Sequence, residues 1–282
     1  MKEKYLVCVL IVNYNTEKLI SRCLNSISKN TRFKQYNILV VDNGSSDNSI
    51  KAIKKFKGVF LIKNKKNYGY GKAANIGIKF AIKKYSPKYF FLLNSDTEVK
   101  KNWLESSVKL AEKNEKVGII GSATFGGDGI KQIGQGWVTP FGVRYYYGNE
   151  IKKVGWVCGA ASLVRAEVFK KIGVFDEIYS PAYYEDSDLC ERARKEGFIL
   201  LSNPQSQVIH LGQQTTNKFN KDHFFYFFYR NRIYFFIKRK SIFYLLPRIP
   251  WDIIKAISKK RFKLLIKSYL EGIKLLHSKT IR

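Results

Sequence analysis

The chain has 282 residues, 45% of them hydrophobic and 26% charged, which excludes a disordered polymer and fits one large α/β domain or a domain with an appendage. Its formal net charge of +29 points to an anionic partner, whether nucleic acid, a membrane surface or a phosphorylated substrate, although a lysine-rich composition alone yields the same excess. The four cysteines, Cys8, Cys23, Cys158 and Cys190, form no C-x-x-C pair, so neither a zinc knuckle nor a redox pair is indicated and buried thiols in a reducing cytosol are expected.

The apolar run from Tyr5 to Val12 is too short to span a bilayer and has no small-residue cleavage site, so no leader is expected. It reads as a strand buried on both faces, ending in Asn13-Tyr14-Asn15. Thr16 is the expected cap of a helix whose stripe is Leu19, Ile20, Cys23, Leu24 and Ile27. A second strand, Asn37 to Val41, ends in the turn cluster Asp42-Asn43-Gly44-Ser45-Ser46-Asp47. Asp47 is the expected cap of the next helix, with Ile50, Ile53 and Phe56 on one side. A third strand, Val59 to Ile62, leads through the loop Asn64 to Gly71 into a helix over Lys72 to Lys84, and Tyr89 to Leu93 is the fourth strand. A helix around Trp103 to Ala111 and a strand at Val117 to Ile120 follow.

Every polar cluster follows the C-terminal end of a buried strand. That pattern predicts an α/β fold on a doubly wound, mostly parallel sheet with its ligand crevice along that edge. Residues 121–155 hold nine glycines and read as irregular loops and hairpins. The apolar run Trp156 to Val164 resumes regular structure, and Ile199 to Leu201 and Val208 to His210 read as two short strands.

Two acidic sites stand out. Asn94-Ser95-Asp96 follows the fourth strand, and Glu185-Asp186-Ser187-Asp188 opens a helix that stops at Gly197. Acids in a first turn, with Arg192, Arg194 and Lys195 in the last, complement a helix dipole, so the second group has a purely structural explanation. Two acidic sites on different elements nevertheless suggest one cleft.

The motifs also follow one another in an order of their own: Val12-Asn13-Tyr14-Asn15, Val41 to Asp47, Asn67-Tyr68-Gly69-Tyr70-Gly71 through Asn75-Ile76-Gly77, and Leu92 to Asp96. After them come Gly159-Ala160 with Arg165, Gly173 to Glu177, Glu185 to Leu189 with Arg192, and Val208-Ile209-His210. Over residues 5–212 this series resembles the family 2 glycosyltransferases of GT-A fold, particularly the bacterial rhamnosyltransferase-like group that builds surface polysaccharide. The resemblance implies a GT-A domain over residues 1–212, with a donor-binding half over about 1–120 and an acceptor half over about 121–212.

A nucleotide-sugar donor brings a diphosphate, whose departure is offset by a divalent cation, Mg2+ or Mn2+, on carboxylate oxygen. Asp96 is the expected metal ligand. The first position of the family's acidic motif is Asn94 here, so protein coordination is sparse, and His210 matches a position that adds a metal ligand or meets the diphosphate. Asp42 can accept a uracil or thymine imide N–H, Asn13 and Asn15 can meet base or ribose, and Asn43, Asn67, Gly69, Asn75, Asn94 and Asp96 complete the donor site. Asp186 is the expected base for an inverting displacement, ionised because a helix start lowers a carboxyl pKa. Glu185 and Asp188 are expected to orient the acceptor or to pair with Arg192 and Arg194, and Trp156 to stack on a sugar ring, with core packing as the alternative for the tryptophan. The Pro-containing loop Ile178 to Tyr184 departs from most relatives and leaves acceptor specificity open.

Residues 211–282 carry 17 Lys and Arg against Asp222, Asp252 and Glu271, a net +14. A boundary is expected near 212–222, followed by a basic aromatic helical tail over 213–282. The run Phe224 to Ile237, with Arg230 and Arg232 inside it, cannot span a bilayer. It suits an interfacial helix on an anionic leaflet, a cap packed on the catalytic domain, or both at once. The expected partners are a nucleotide-sugar donor, a lipid-linked saccharide acceptor and the cytoplasmic membrane face. Two readings compete. A nucleotidyltransferase would need an early Gly-rich triphosphate segment that is absent, and a basic module binding membrane or nucleic acid leaves the acidic sites unexplained.

Overall fold

The computed structural model describes residues 6–129, 135–139, 142–211, 220–240 and 242–277. Its first half alternates strand and helix: β1 (Val7–Asn13), α1 (Glu17–Asn30), β2 (Tyr36–Asp42), α2 (Ser49–Ile53), β3 (Val59–Lys63), α3 (Tyr70–Tyr85) and β4 (Tyr89–Asn94). β3, β2, β1 and β4 are parallel neighbours in that order. Their register sets Asn13 opposite Asp42 and Val12 opposite Asn94, so the polar clusters share one sheet edge, as the strand-end pattern predicts.

The central stretches of β1, β2 and β4 are apolar on both sides because each face has its own core. Leu10, Val41 and Leu92 pack under α3, whereas Val9, Ile11, Val40, Phe91 and Leu93 belong to a second core with Ile20, Cys23, Leu24 and Ile27 of α1. α3 lies so close to the sheet that a Cβ on Gly77 would stand 2.4 Å from Leu10 Cδ1. Thr16 does not cap α1. Its hydroxyl donates to Asn13 Oδ1 at 2.6 Å, and Asp47 accepts from Glu17 N instead, at 3.0 Å. Asp47 also accepts from Ser49 N at 3.0 Å, so one carboxylate serves two helix starts. α2 stops at Ile53, before Phe56.

The second half contains β5 (Thr97–Val99), α4 (Trp103–Glu112), β6 (Val117–Phe125), β7 (Gln135–Thr139), β8 (Gly142–Tyr145), β9 (Lys152–Lys153), β10 (Trp156–Val157), β11 (Ala161–Arg165), α5 (Ala166–Ile172), α6 (Glu185–Lys195) and β12 (Ile199–His210). The large sheet runs β3-β2-β1-β4-β11-β6-β12-β5 with β9 against β12, and β10, β7 and β8 form a small antiparallel sheet. β11 is antiparallel to β4 and β6, while β12 is parallel to β6. The fold is thus mixed α/β on a large, mostly parallel sheet with helices on both faces. The two short strands expected near 199 and 208 are one strand. It is interrupted by a register shift between Asn203 and Gln207, where Pro204 requires no ladder hydrogen bond. The run Trp156 to Val164 splits instead into β10 and β11, which belong to different sheets.

Beyond residue 220 lie α7 (Lys221–Phe235), continued by a π turn over Phe236–Lys240, then α8 (Ile249–Ser258) and α9 (Phe262–His277). Most of the boundary expected at 212–222 lies outside the described residues. The aromatic run packs as a cap: Ile233, Tyr234, Phe235 and Phe236 form a buried cluster with Tyr179, and Phe225 and Tyr229 form another with Ala256 and Leu265.

Candidate active site

A cleft of about 330 Å³ opens at the C-terminal edge of β1 and β4. Asn43, Asn67, Gly69, Asn94, Asp96, Glu185, Asp186 and His210 all line it. Asn13 and Asp42 do not. Both are fully buried beneath it, with Asn13 Nδ2 donating to Asp42 Oδ1 at 2.9 Å. Asp42 also accepts from Ser45 N at 3.0 Å and from Ser45 Oγ at 2.6 Å, so its carboxylate fixes the turn. Asn15, at φ 51°, accepts from Ser46 N at 2.7 Å and belongs to that same turn.

Asn43 joins this turn to the glycine loop. Its Nδ2 donates to Asn67 Oδ1 at 2.9 Å and to the Gly69 carbonyl at 3.2 Å, and its Oδ1 accepts from Tyr68 N at 3.1 Å. Gly69 sits at φ +83°, where a Cβ would stand 2.7 Å from the Pro181 carbonyl oxygen. Only glycine lets the two loops touch there. Asn75 lies away from the cleft. It is buried and bridges Phe175, accepting from its N–H and donating to its carbonyl, each at 2.9 Å.

His210 ends β12 opposite Thr97 of β5, and this antiparallel pairing carries it to Asp96, with Nε2 3.4 Å from Asp96 Oδ1. One carboxylate and one imidazole suit a divalent ion that takes its remaining ligands from diphosphate and water. Among the described residues no group of three or more His, Cys, Asp or Glu could hold a metal, so a bound ion would depend on donor oxygens.

α6 follows two left-handed residues, Tyr183 (φ 80°) and Tyr184 (φ 74°). Asp186 accepts from Gly159 N at 3.1 Å and from its neighbour Ser187 N at 2.7 Å. Gly159 lies between β10 and β11, where the run from Trp156 is broken. The expectation of a lowered Asp186 pKa is overturned: burial in the cleft outweighs the helix start and these two N–H donors, and raises it. Glu185 is pushed up to about 8, first by burial and then by the Asp186 charge, and its buried Oε2 has no hydrogen-bond partner among the described residues. Burial also pushes the Cys158 thiol up to about 12, so it stays protonated near neutral pH.

Two expected acceptor residues turn away. Asp188 is fully buried and accepts from Arg192 Nε at 2.6 Å, from Tyr179 Oη at 3.2 Å and from Arg239, taking the Arg192 pairing rather than the acceptor role. Trp156 is half-buried against the α3-side core and does not line the cleft. Sequence reasoning missed the tail's part in the site. Asn231 Nδ2 reaches the carbonyls of Tyr179, Ala182 and Tyr183 at 2.8, 2.9 and 2.9 Å, and Arg230 donates to that of Ser180 at 2.7 Å. The signal was present: a polar Arg-Asn-Arg triplet inside an aromatic helix.

A broader hollow of about 1080 Å³ lies at the opposite strand ends, away from the edge where such sheets bind ligands. Its Arg165 is taken up by the carbonyls of Val117, Ala111 and Asn114.

The curated proteins this chain resembles include an uncharacterized glycosyltransferase of Haemophilus influenzae, 27% identical over 88% of this chain and 76% of its own length. Another is the N-acetylglucosaminyl-diphospho-decaprenol L-rhamnosyltransferase of Mycobacterium tuberculosis, 25% identical over 74% and 77%. Among solved structures, S. aureus TarS in complex with UDP-GlcNAc superposes with a TM-score of 0.67 at 17% identity, covering 95% of this chain and 80% of that one. The Pyrobaculum calidifontis mannosyltransferase PcManGT in complex with GDP-Man and Mn2+ gives 0.62 at 14% identity, over 98% and 79%. These two likenesses establish the GT-A fold. The family model described as glycosyl transferase family 2 matches residues 8–173, more than half of the chain, and the chain belongs to that family.

Proposed function

We propose that this protein transfers a sugar, with inversion, from a nucleotide diphosphate sugar to a hydroxyl of a lipid-linked saccharide in cell-surface polysaccharide synthesis. UDP and dTDP are the favoured nucleotides. The observation that carries the reading is the meeting of two acidic sites in one cleft, Asp96 with His210 on one side and Glu185 with Asp186 on the other. The rhamnosyltransferase relative, named for a lipid-diphosphate acceptor, supports the acceptor class. We assign donor binding and transfer to residues 1–212, and the tail to the cytoplasmic face of the membrane.

Asp96 and His210 would hold Mg2+ or Mn2+, which neutralises the charge that develops on the departing diphosphate. Asn43, Asn67 and Gly69 shape the donor wall, and Asp42, Asn13 and Asn15 hold its turn in place. The acceptor oxygen forms its bond to the anomeric carbon as the bond to the diphosphate oxygen breaks. Asp186 takes the acceptor proton. Its raised pKa makes it a stronger base once ionised, and the Gly159 and Ser187 N–H groups fix its oxygens. Burial and the Asp186 charge hold the Glu185 pKa up at about 8, so a protonated Glu185 can stand beside an Asp186 carboxylate without like-charge repulsion.

The test is turnover across UDP-, dTDP- and GDP-sugars with Mn2+ or Mg2+, a lipid-linked acceptor extract, and an EDTA control. One donor class should turn over and stop on chelation. Turnover that persists in EDTA would remove the metal from the mechanism, and no turnover of any donor would sink the reading.

A further inference from the structure

Of the fifteen large apolar side chains that stand exposed among the described residues, ten lie between residues 242 and 273. On α9, Phe262, Ile266, Leu270 and Ile273 recur at helical spacing as one exposed stripe. The opposite face, through Leu265, Ser268 and Gly272, is buried, and a Cβ on Gly272 would stand 2.6 Å from the Arg230 carbonyl oxygen of α7. On α8, Trp251 is 73% exposed and Ile254 and Ile257 stand out beside it, while Asp252 and Ala256 are buried; Phe243, just before α8, is 71% exposed. Lys255, Lys259, Lys260, Lys263 and Lys267 are exposed on or between these helices. Both acids of this region are paired, Asp252 inward with Arg232 and Glu271 with Lys274.

We propose that the outer face of α8 and α9 docks on an anionic lipid surface, with Trp251 and the α9 stripe entering the headgroup boundary and the lysines meeting lipid phosphates. Among the described residues no helix is long and apolar enough to cross a membrane, so these helices lie on it. Charge selects this occupant. A second copy of the chain would set one lysine-rich face against another, whereas an anionic leaflet neutralises it. The face is also one helix removed from the cleft, because α9 packs on α7 and α7 holds the loop before Glu185. The proposal rests on the lipid-linked acceptor reading and assigns it a surface.

The experiment is co-sedimentation of the full chain with vesicles of phosphatidylcholine alone or mixed with phosphatidylglycerol, at rising salt. We expect binding to the mixed vesicles that weakens with salt. Trp251→Ser combined with Leu270→Ser should lower partitioning by about tenfold or more, with donor turnover free of vesicles unchanged. The proposal is overturned if the wild type stays in the supernatant, or if the double variant sediments as well as the wild type. It is equally overturned if light scattering shows a dimer that the same substitutions dissolve. Turnover without vesicles reports separately on the transferase reading, so either claim can fail while the other stands.

Discussion

Asn231→Leu tests whether the tail is part of the catalytic apparatus. The side chain is fully buried, and its amide nitrogen lies within 2.8 to 2.9 Å of the carbonyls of Tyr179, Ala182 and Tyr183. An amide has two N–H groups, so three acceptors share two donors, and leucine fills the volume while removing both. At about 1–3 kcal/mol for each buried carbonyl left unpaired, partly recovered as the loop relaxes, the loss is about 2–4 kcal/mol. For a chain of this size that lowers Tm by roughly 3–7 °C. Relaxation moves Tyr183 and Tyr184, which lead directly into Glu185 and Asp186. Well below the new Tm, kcat should therefore fall by about tenfold or more while the KM for donor changes little. Differential scanning fluorimetry and initial rates measure both. A Tm within about 1 °C of wild type, or an unchanged kcat, would refute the claim that α7 sets the acceptor loop.

Three further predictions follow from the same geometry. Asp188→Asn leaves Arg192 and Arg239 without their buried carboxylate and should cost about 3–5 kcal/mol in urea unfolding; a change in acceptor KM at unchanged stability would instead return Asp188 to the acceptor site. Because burial raises the Glu185 pKa from 4.5 to about 8, the folded state binds the extra proton between those values, and stability should fall as pH rises through that window. Glu185→Gln should flatten that fall in pH-dependent Tm scans, and a variant as steep as the wild type would contradict the assignment. Gly69→Ala places a methyl against the Pro181 carbonyl at φ +83° and should raise donor KM by about tenfold; unaltered donor binding by calorimetry would show that the two loops need not touch.

The first half of the fold was legible because each strand is apolar on both faces and each ends in a polar cluster, so Asp42, Asn67 and Asp96 could be set on one edge from pattern alone. The meeting of His210 with Asp96 depends on β12 running antiparallel to β5, a pairing between distant segments that no local periodicity encodes. The raised pKa of Asp186 and the depth at which Asp188 lies were illegible for a related reason. Position on a helix predicts a lowered pKa for the first, and for the second either an acceptor contact or the Arg192 pairing four residues on, which the structure shows. Burial decides both, and for Asp188 it comes with two arginines, one of them Arg239 from the tail. The tail's aromatic composition suited a membrane helix and a packed helix equally. Only the exposed spacing on α8 and α9 separates the apolar residues that pack from those that face outward.

The central claim is that Asp186 is the base of a metal-assisted transfer, and the most direct test is donor binding and turnover by Asp186→Asn. The substitution keeps the shape and removes the ability to take a proton. Calorimetric affinity for the donor with Mn2+ should stay within a few-fold of wild type, and transfer should fall by about 10²–10⁴-fold at every pH. Transfer by Asp186→Asn at the wild-type rate, with donor binding intact, would show that the acceptor proton goes elsewhere.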